Sequence, residues 1–361
     1  MLRAAGARLA ATCAVGAAGT HPGHGGATLH QDLAAVLSGL FRRGSDLRAR
    51  LRRRLILEQY RLGARFLPRL PDWLVDGGTR LLVSALALRR SEQRLIVERN
   101  LRRSSADGEL SSAAALRRAV RDTFVAYGRY YIDCARLAAA SPVEVEAGFT
   151  FKDYDNISDA LRIGPGAILA LPHVGSWEWA GVWLAQRPGV KVTAVVEPID
   201  HPELFAWMER FRRRIGMEIV PAGPRALGAL TGALNDGHVV CLLTDRDIGG
   251  GGVEVEFFGE RTTLPGGAAV LARRTGSPIV GVVVRRRHGK CHADTFPPMR
   301  VSRDGRLRDV VSEATQDLAR LLEDMIRLDP TQWHLMQPNW PSDREALAAR
   351  RSGSGATAER K

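Results

Sequence analysis

Apolar and polar positions along the 361-residue chain change rhythm near residue 148. From Ser45 to about residue 140, apolar residues recur every three or four positions. Leu47, Leu51, Leu55 and Ile56 interleave with Arg48, Arg50, Arg52, Arg53 and Arg54, a spacing that predicts amphipathic helices. Asp72 is placed to cap a helix over 72–88. Further helices are expected over 91–103 and 112–139. The second carries Leu116, Val120, Phe124, Tyr127, Tyr131 and Cys134 on one face, which burial alone requires.

From Gly148 onward, apolar runs of strand length alternate with helical stretches. The runs are 167–171, 190–196, 239–243 and 278–284; the helices between them cover about 178–186, 202–215, 224–235 and 266–275. Alternating strands and helices predict an α/β fold with a mostly parallel central sheet flanked by helices. The runs are continuously apolar, so the strands should be covered on both faces. A last helix over about 308–328 precedes a polar segment, 329–340. The chain divides into a patternless extension (1–44), an N-terminal helical segment (45–140), an α/β core (141–345) and a Ser/Gly/Ala-rich tail (346–361) expected to be disordered. Residues 9–18 resemble a weak signal peptide. Their Ala/Gly content and the Gly/His-rich stretch behind them favour a disordered extension or a mis-assigned start. No run reaches the roughly 18–20 apolar residues that span a bilayer.

Charge sharpens this picture. Lys and Arg number 52 and the net charge is +13. Such an excess predicts an anionic partner: a phospholipid surface, a nucleotide-bearing substrate or nucleic acid. A coding bias toward Arg is the alternative source. The Arg-rich helices suit a membrane interface with Phe66 and Trp73 as anchors, or equally an amphipathic element packed on the domain. No nucleic-acid-binding motif accompanies the charge, so no nucleic acid is expected. Cys13, Cys134, Cys241 and Cys291 are far apart and lack metal-ligand spacing; they fit a reduced cytosolic protein without a metal.

The candidate chemistry starts at Leu171-Pro172-His173-Val174-Gly175-Ser176-Trp177-Glu178. A buried strand ends, and His173 appears where the chain turns toward a helix, on the edge where open parallel sheets bind ligands. Within one helix His173 and Glu178 would lie roughly 140° apart. With His173 before the helix and Glu178 in its first turn, the two can meet. A carboxylate on one imidazole nitrogen leaves the other as a base. Glu197 ends the next strand run and either lines the ligand edge or caps a turn before Pro198. Arg212, Arg213 and Arg214 either complement a helix dipole or capture phosphate. Asp245-Arg246-Asp247 follows another buried strand at the same edge. The four glycines 249–252 lack the residues of a phosphate loop and suit a mobile turn. Backbone amides near Gly175 to Trp177 are candidate oxyanion donors.

The form His-x-Gly-x-Trp-Glu-x-Ala-Gly resembles the His-x4-Asp/Glu box of the lysophospholipid acyltransferase superfamily. More closely it resembles the bacterial lipid A biosynthesis acyltransferase branch, and within it the actinobacterial phosphatidylinositol mannoside acyltransferases. Further blocks match in order: Ala194-Val195-Val196-Glu197, Phe211-Arg212-Arg213-Arg214-Ile215-Gly216, Asp245-Arg246-Asp247, Gly252-Val253-Glu254-Val255-Glu256-Phe257-Phe258-Gly259-Glu260 and Thr263-Leu264-Pro265-Gly266-Gly267-Ala268. The resemblance covers roughly residues 55–340, and the box carries Glu where many members have Asp. It implies a glycerolipid-acyltransferase type of fold. It also implies transfer of a fatty acyl group from acyl-CoA to a mannose hydroxyl of a phosphatidylinositol mannoside glycolipid. His173 would be the base and Glu178 its charge partner; Glu197, Arg212 and Glu254 would bind substrate. No cofactor is implied beyond the acyl-CoA co-substrate. The expected location is peripheral, on the anionic cytoplasmic face of the cell membrane. Two rivals remain. One is a lipid A type acyltransferase fed by acyl-carrier protein, a group that usually starts with a hydrophobic anchor. The other is an inactive peripheral protein that binds anionic lipid.

Overall fold

The computed structural model describes residues 91–105, 110, 112–196, 202–247 and 249–358, together with parts of 54–80. Residues 1–44 and Trp73 lie outside the described residues. A 3₁₀ turn, Leu67–Arg69, precedes the helices α1 (Ser91–Ser104) and α2 (Ala113–Leu137). Ser112 caps α2 by accepting from the Ala115 amide at 3.0 Å, as Ser at an N-cap does. The core then runs α3 (Pro142–Ala147), β1 (Phe149–Lys152), α4 (Asp155–Ile163), β2 (Ala167–Leu171), α5 (Trp177–Ala185) and β3 (Val192–Val196). It continues with α6 (Pro202–Arg214), β4 (Met217–Pro221), α7 (Ala226–Asn235), β5 (Val239–Leu243), β6 (Val253–Phe257) and β7 (Glu260–Leu264). The last elements are α8 (Gly267–Thr275), β8 (Ile279–Arg287), β9 (Lys290–Thr295), α9 (Leu307–Arg327) and α10 (Pro341–Ala358).

Among the described residues the strands form a seven-stranded sheet in the order β1-β9-β8-β2-β5-β3-β4, beside an antiparallel β6–β7 hairpin. The large sheet is parallel throughout except at β8–β9. The α/β expectation holds, with helices on both faces. Alternation along β2 shows the two-sided burial directly. Ile168 and Ala170 join one core with α7, α8 and α9, while Ala167, Leu169 and Leu171 join the other with α5. All five β2 residues are buried, as a continuously apolar strand requires.

Strands β1, β4 and β9 escape the sequence pattern, and so does the hairpin. Each mixes buried with exposed positions, so none shows the unbroken apolar run of a central strand. The C-terminal tail also differs from expectation, since α10 continues to Ala358. Its start is anchored by Asp343, a fully buried carboxylate paired with Arg99 at 2.6 Å and Arg103 at 2.9 Å on α1. Composition alone did not reveal that anchor. In the N-terminal pieces Leu57 and Val75 face inward, while Leu55, Leu62, Phe66, Leu70 and Leu74 stand exposed. No helix among the described residues is long and apolar enough to cross a membrane.

Candidate active site

His173 stands two residues beyond the end of β2. Pro172 ends the strand, and α5 begins at Trp177. Between them Gly175 makes the turn with φ +58°. A Cβ there would collide with the Val284 carbonyl oxygen on β8. Glycine is thus required at Gly175 for both its dihedral and its space. Ser176 hydroxyl donates to Asp133 on α2 at 2.7 Å, and the buried Asp133 also pairs with Arg129 and Arg286. The turn that bears His173 is therefore bolted to α2 and β8.

The partner of His173 is Asp245. The imidazole Nδ1 lies 2.5 Å from Asp245 Oδ1, and the His173 backbone amide donates to Oδ2 at 3.0 Å. A third donor, the Trp333 indole Nε1, reaches Oδ2 at 2.8 Å. Asp245 is fully buried and His173 is 12% exposed in its side chain. Burial alone would raise the carboxyl of Asp245. The His173 ring, its hydrogen bond, the indole and the His173 amide together outweigh burial and hold it at about 2. An ionised acceptor on Nδ1 places the imidazole proton there and leaves Nε2 as the basic nitrogen. This assigns the tautomer from the hydrogen-bond network.

Sequence spacing pairs His173 with Glu178; the structure pairs each with a different side chain. Glu178 sits in the first turn of α5, as expected, but its carboxylate accepts two hydrogen bonds from the Arg212 guanidinium of α6. The physical reason is burial. Arg212 is only 8% exposed, and a buried guanidinium demands a carboxylate. Burial would depress Arg212, but Glu178 reverses this and raises its pKa. Around the pair, burial and then the Glu178 charge push Cys241 up to about 12 and Cys134 well above its usual range. Arg212 is thus an internal cation rather than one projecting into solvent to meet phosphate.

Glu197 and Glu254 are the other two carboxylates expected to bind substrate. Glu197 lies outside the described residues. Glu254 is on β6, opposite Thr263 in the hairpin, exposed and ion-paired with Arg261 at 3.2 Å. It is not part of the parallel sheet whose edge carries His173. Of the candidate oxyanion donors, the Gly175 amide is taken by the Gln332 carbonyl at 3.0 Å. Sequence reasoning placed Asp245 at the ligand edge without pairing it to His173, and missed Trp333, Asp133 and His334. The usable signal for Asp245 was its offset: like His173, it stands two residues past a buried apolar strand.

Aromatic side chains wall this edge. Tyr130 stacks on Trp177 with centroids 4.3 Å apart, and Trp177 meets the His173 ring edge to face at 5.3 Å. An imidazole held on an ionised carboxylate, beside an apolar wall, has the geometry to take a proton from a hydroxyl.

Comparison with known proteins accords with that chemistry. The family model described as bacterial lipid A biosynthesis acyltransferase matches residues 63–342, which include His173, Glu178, Arg212, Asp245 and Trp333. The chain is 34% identical over 227 residues to a phosphatidylinositol mannoside acyltransferase of Mycolicibacterium smegmatis, covering 62% of this chain and 73% of that one. It is 34% identical over 222 residues to the protein of the same name from Mycobacterium tuberculosis, covering 60% and 68%. The chain belongs to the bacterial lipid A biosynthesis acyltransferase family and is an O-acyltransferase.

Proposed function

We propose that this enzyme transfers a fatty acyl group from acyl-CoA to a mannose hydroxyl of a phosphatidylinositol mannoside, with His173 as general base and Asp245 as its charge partner. The observation that carries the mechanism is the His173 Nδ1–Asp245 Oδ1 contact of 2.5 Å. The acceptor class is supported by two relatives named phosphatidylinositol mannoside acyltransferase. His173 Nε2 takes the hydroxyl proton as the oxygen attacks the thioester carbonyl. The tetrahedral adduct collapses with loss of the thiolate, which recovers the proton from the imidazolium. The thioester is already activated, so no covalent enzyme intermediate and no resident cofactor are needed. Asp245 stabilises the transient imidazolium in a site where the charge is poorly screened. The amides of Ser176 and Trp177, at the start of α5, are the donors we assign to the oxyanion. Glu178 and Arg212 brace the box from the α6 side.

The enzyme would work at the cytoplasmic face of the cell membrane as a peripheral protein. Exposed Leu55, Leu62 and Phe66, alternating with Arg54, Arg61 and Arg65, support docking on an anionic lipid surface. The deciding experiment is acyl transfer from palmitoyl-CoA to purified phosphatidylinositol mannoside, wild type beside His173→Ala. Transfer by wild type and its loss in the variant support the reaction and the base. Transfer only from an acyl-carrier-protein thioester would replace the donor. Absence of transfer from either donor to this acceptor would overturn the proposed reaction.

A further inference from the structure

The segment 332–334 leaves a short 3₁₀ turn, Pro330–Gln332, and it touches each part of the His173 site. Val174 and Trp333 form an antiparallel bridge. The Gly175 amide donates to the Gln332 carbonyl at 3.0 Å, and the His334 amide donates to the His173 carbonyl at 2.8 Å. His334 Nε2 bonds the Gly175 carbonyl at 3.2 Å. The other end of the segment is tied to β8. Gln332 Oε1 accepts from the Arg286 amide at 2.7 Å, and its Nε2 donates to the Arg286 carbonyl at 3.1 Å. The strap thus holds the turn around His173 against a central strand.

Trp333 is the one member of this strap that reaches Asp245. Its ring is 3% exposed and locked among Phe257, Phe258 and Trp340, with centroids 6.2, 5.7 and 6.3 Å away. Its Nε1 therefore points at Oδ2 from a fixed position, 2.8 Å away. With the His173 amide on the same oxygen, the carboxylate cannot rotate about its Cβ–Cγ bond without losing both donors. Oδ1 is kept facing Nδ1. We propose that Trp333 is a positioning residue for acyl transfer, acting through Asp245 to hold the His173 imidazole in its working orientation. This rests on His173 being the base.

A Phe ring would fill the same space without the N–H, so Trp333→Phe isolates the hydrogen bond. Trp340→Phe is the matched control. It removes a buried indole donor of the same aromatic cluster, which goes to the Phe257 carbonyl at 3.1 Å and not to Asp245. In Trp333→Phe, kcat should fall about tenfold, the low end for a lost bond to a buried charge, with KM little changed. The acid limb of its kcat/KM profile should move to higher pH, because a carboxylate with one donor fewer holds the imidazolium more firmly. Trp340→Phe should keep the wild-type kcat and profile. Equal effects in both variants would assign Trp333 a packing role only, and a wild-type profile in Trp333→Phe would equally overturn the proposal. A second measurement needs no turnover: the proton NMR resonance of the His173 Nδ1–H should move in Trp333→Phe and stay in place in Trp340→Phe. Should wild type transfer no acyl group, the reaction is wrong, and the resonance still decides whether Trp333 orients the pair.

Discussion

His173 and Asp245 stand side by side because each lies two residues past the end of one of two adjacent parallel strands. The ladder from β2 to β5 pairs Ala167 with Val239 and runs in register to Leu171 with Leu243. The Thr244 amide extends it by donating to the Leu171 carbonyl at 3.0 Å. Two residues further on each chain, an imidazole faces a carboxylate. The offset in sequence is 72 residues; the offset in the ladder is zero.

Asp245→Asn should therefore be far more damaging than Glu178→Gln. An amide at Asp245 offers Nδ1 the wrong partner and no countercharge, and in triad enzymes such a change costs about 10⁴-fold in kcat. Glu178→Gln should cost about tenfold or less, through a weakened bond to Arg212. Steady-state kinetics of the two variants decide between the partners. The reverse ranking would return the role of charge partner to Glu178.

Glu178 and Arg212 should matter for folding. Glu178→Ala strands a guanidinium that is only 8% exposed, and removing one member of a buried pair costs about 3–5 kcal/mol. Glu178→Met combined with Arg212→Leu should recover much of that loss. Chemical denaturation of Glu178→Met, Arg212→Leu and the double variant measures the coupling. Purely additive effects would exclude a buried pair.

Acid should destabilise the protein in two stages. Burial, and secondarily the His173 ring, depress His334 from 6.5 to about 3 despite its bond to Gly175. Its contribution is complete above about pH 6.5 and is lost as pH falls toward about 3. Asp245 is also depressed, from 3.8 to about 2. Its share, about 2 kcal/mol, is complete above about pH 4 and is lost as pH falls through 2. The unfolding midpoint should thus begin to drop below about pH 6.5, and His334→Asn should flatten the first stage. A wild-type midpoint that stays level down to about pH 4 would contradict a buried neutral His334.

Gly175→Ala should fold poorly. A residue with φ +58° costs about 1 kcal/mol or more when it is not glycine, and the added methyl would overlap the Val284 carbonyl. Thermal unfolding of Gly175→Ala beside Gly189→Ala separates the two costs. Gly189 also has positive φ, but a Cβ there meets nothing within 4 Å.

Membrane docking should depend on the exposed apolar positions. Leu62→Glu with Phe66→Glu should weaken binding to anionic vesicles by about tenfold or more, since each apolar side chain contributes about 1.5–3 kcal/mol when buried. Transfer to detergent-dispersed acceptor should persist. Undiminished vesicle binding would place the membrane contact elsewhere.

The chain by itself determined the layered α/β architecture. Apolar runs such as Ala167–Leu171 and Val239–Leu243 are continuous because both faces of those strands are covered, and continuity is visible without knowing any neighbour. It also determined that His173 lies at a strand end before a helix, since Pro172 and the change of periodicity are local features. The edge strands, the hairpin and the continuation of α10 were not legible. Their stability comes from one-sided burial or from single anchors such as Asp343. Which carboxylate serves which cation was decided only by the tertiary structure. Strand order sets β2 beside β5, although α5, β3, α6, β4 and α7 intervene in the chain, and so delivers Asp245 to His173. Arg212 is buried where α6 packs on β4, and a buried guanidinium claims Glu178 before the imidazole can. Spacing along a chain measures what can meet within one element, whereas partners across elements depend on which strands lie side by side.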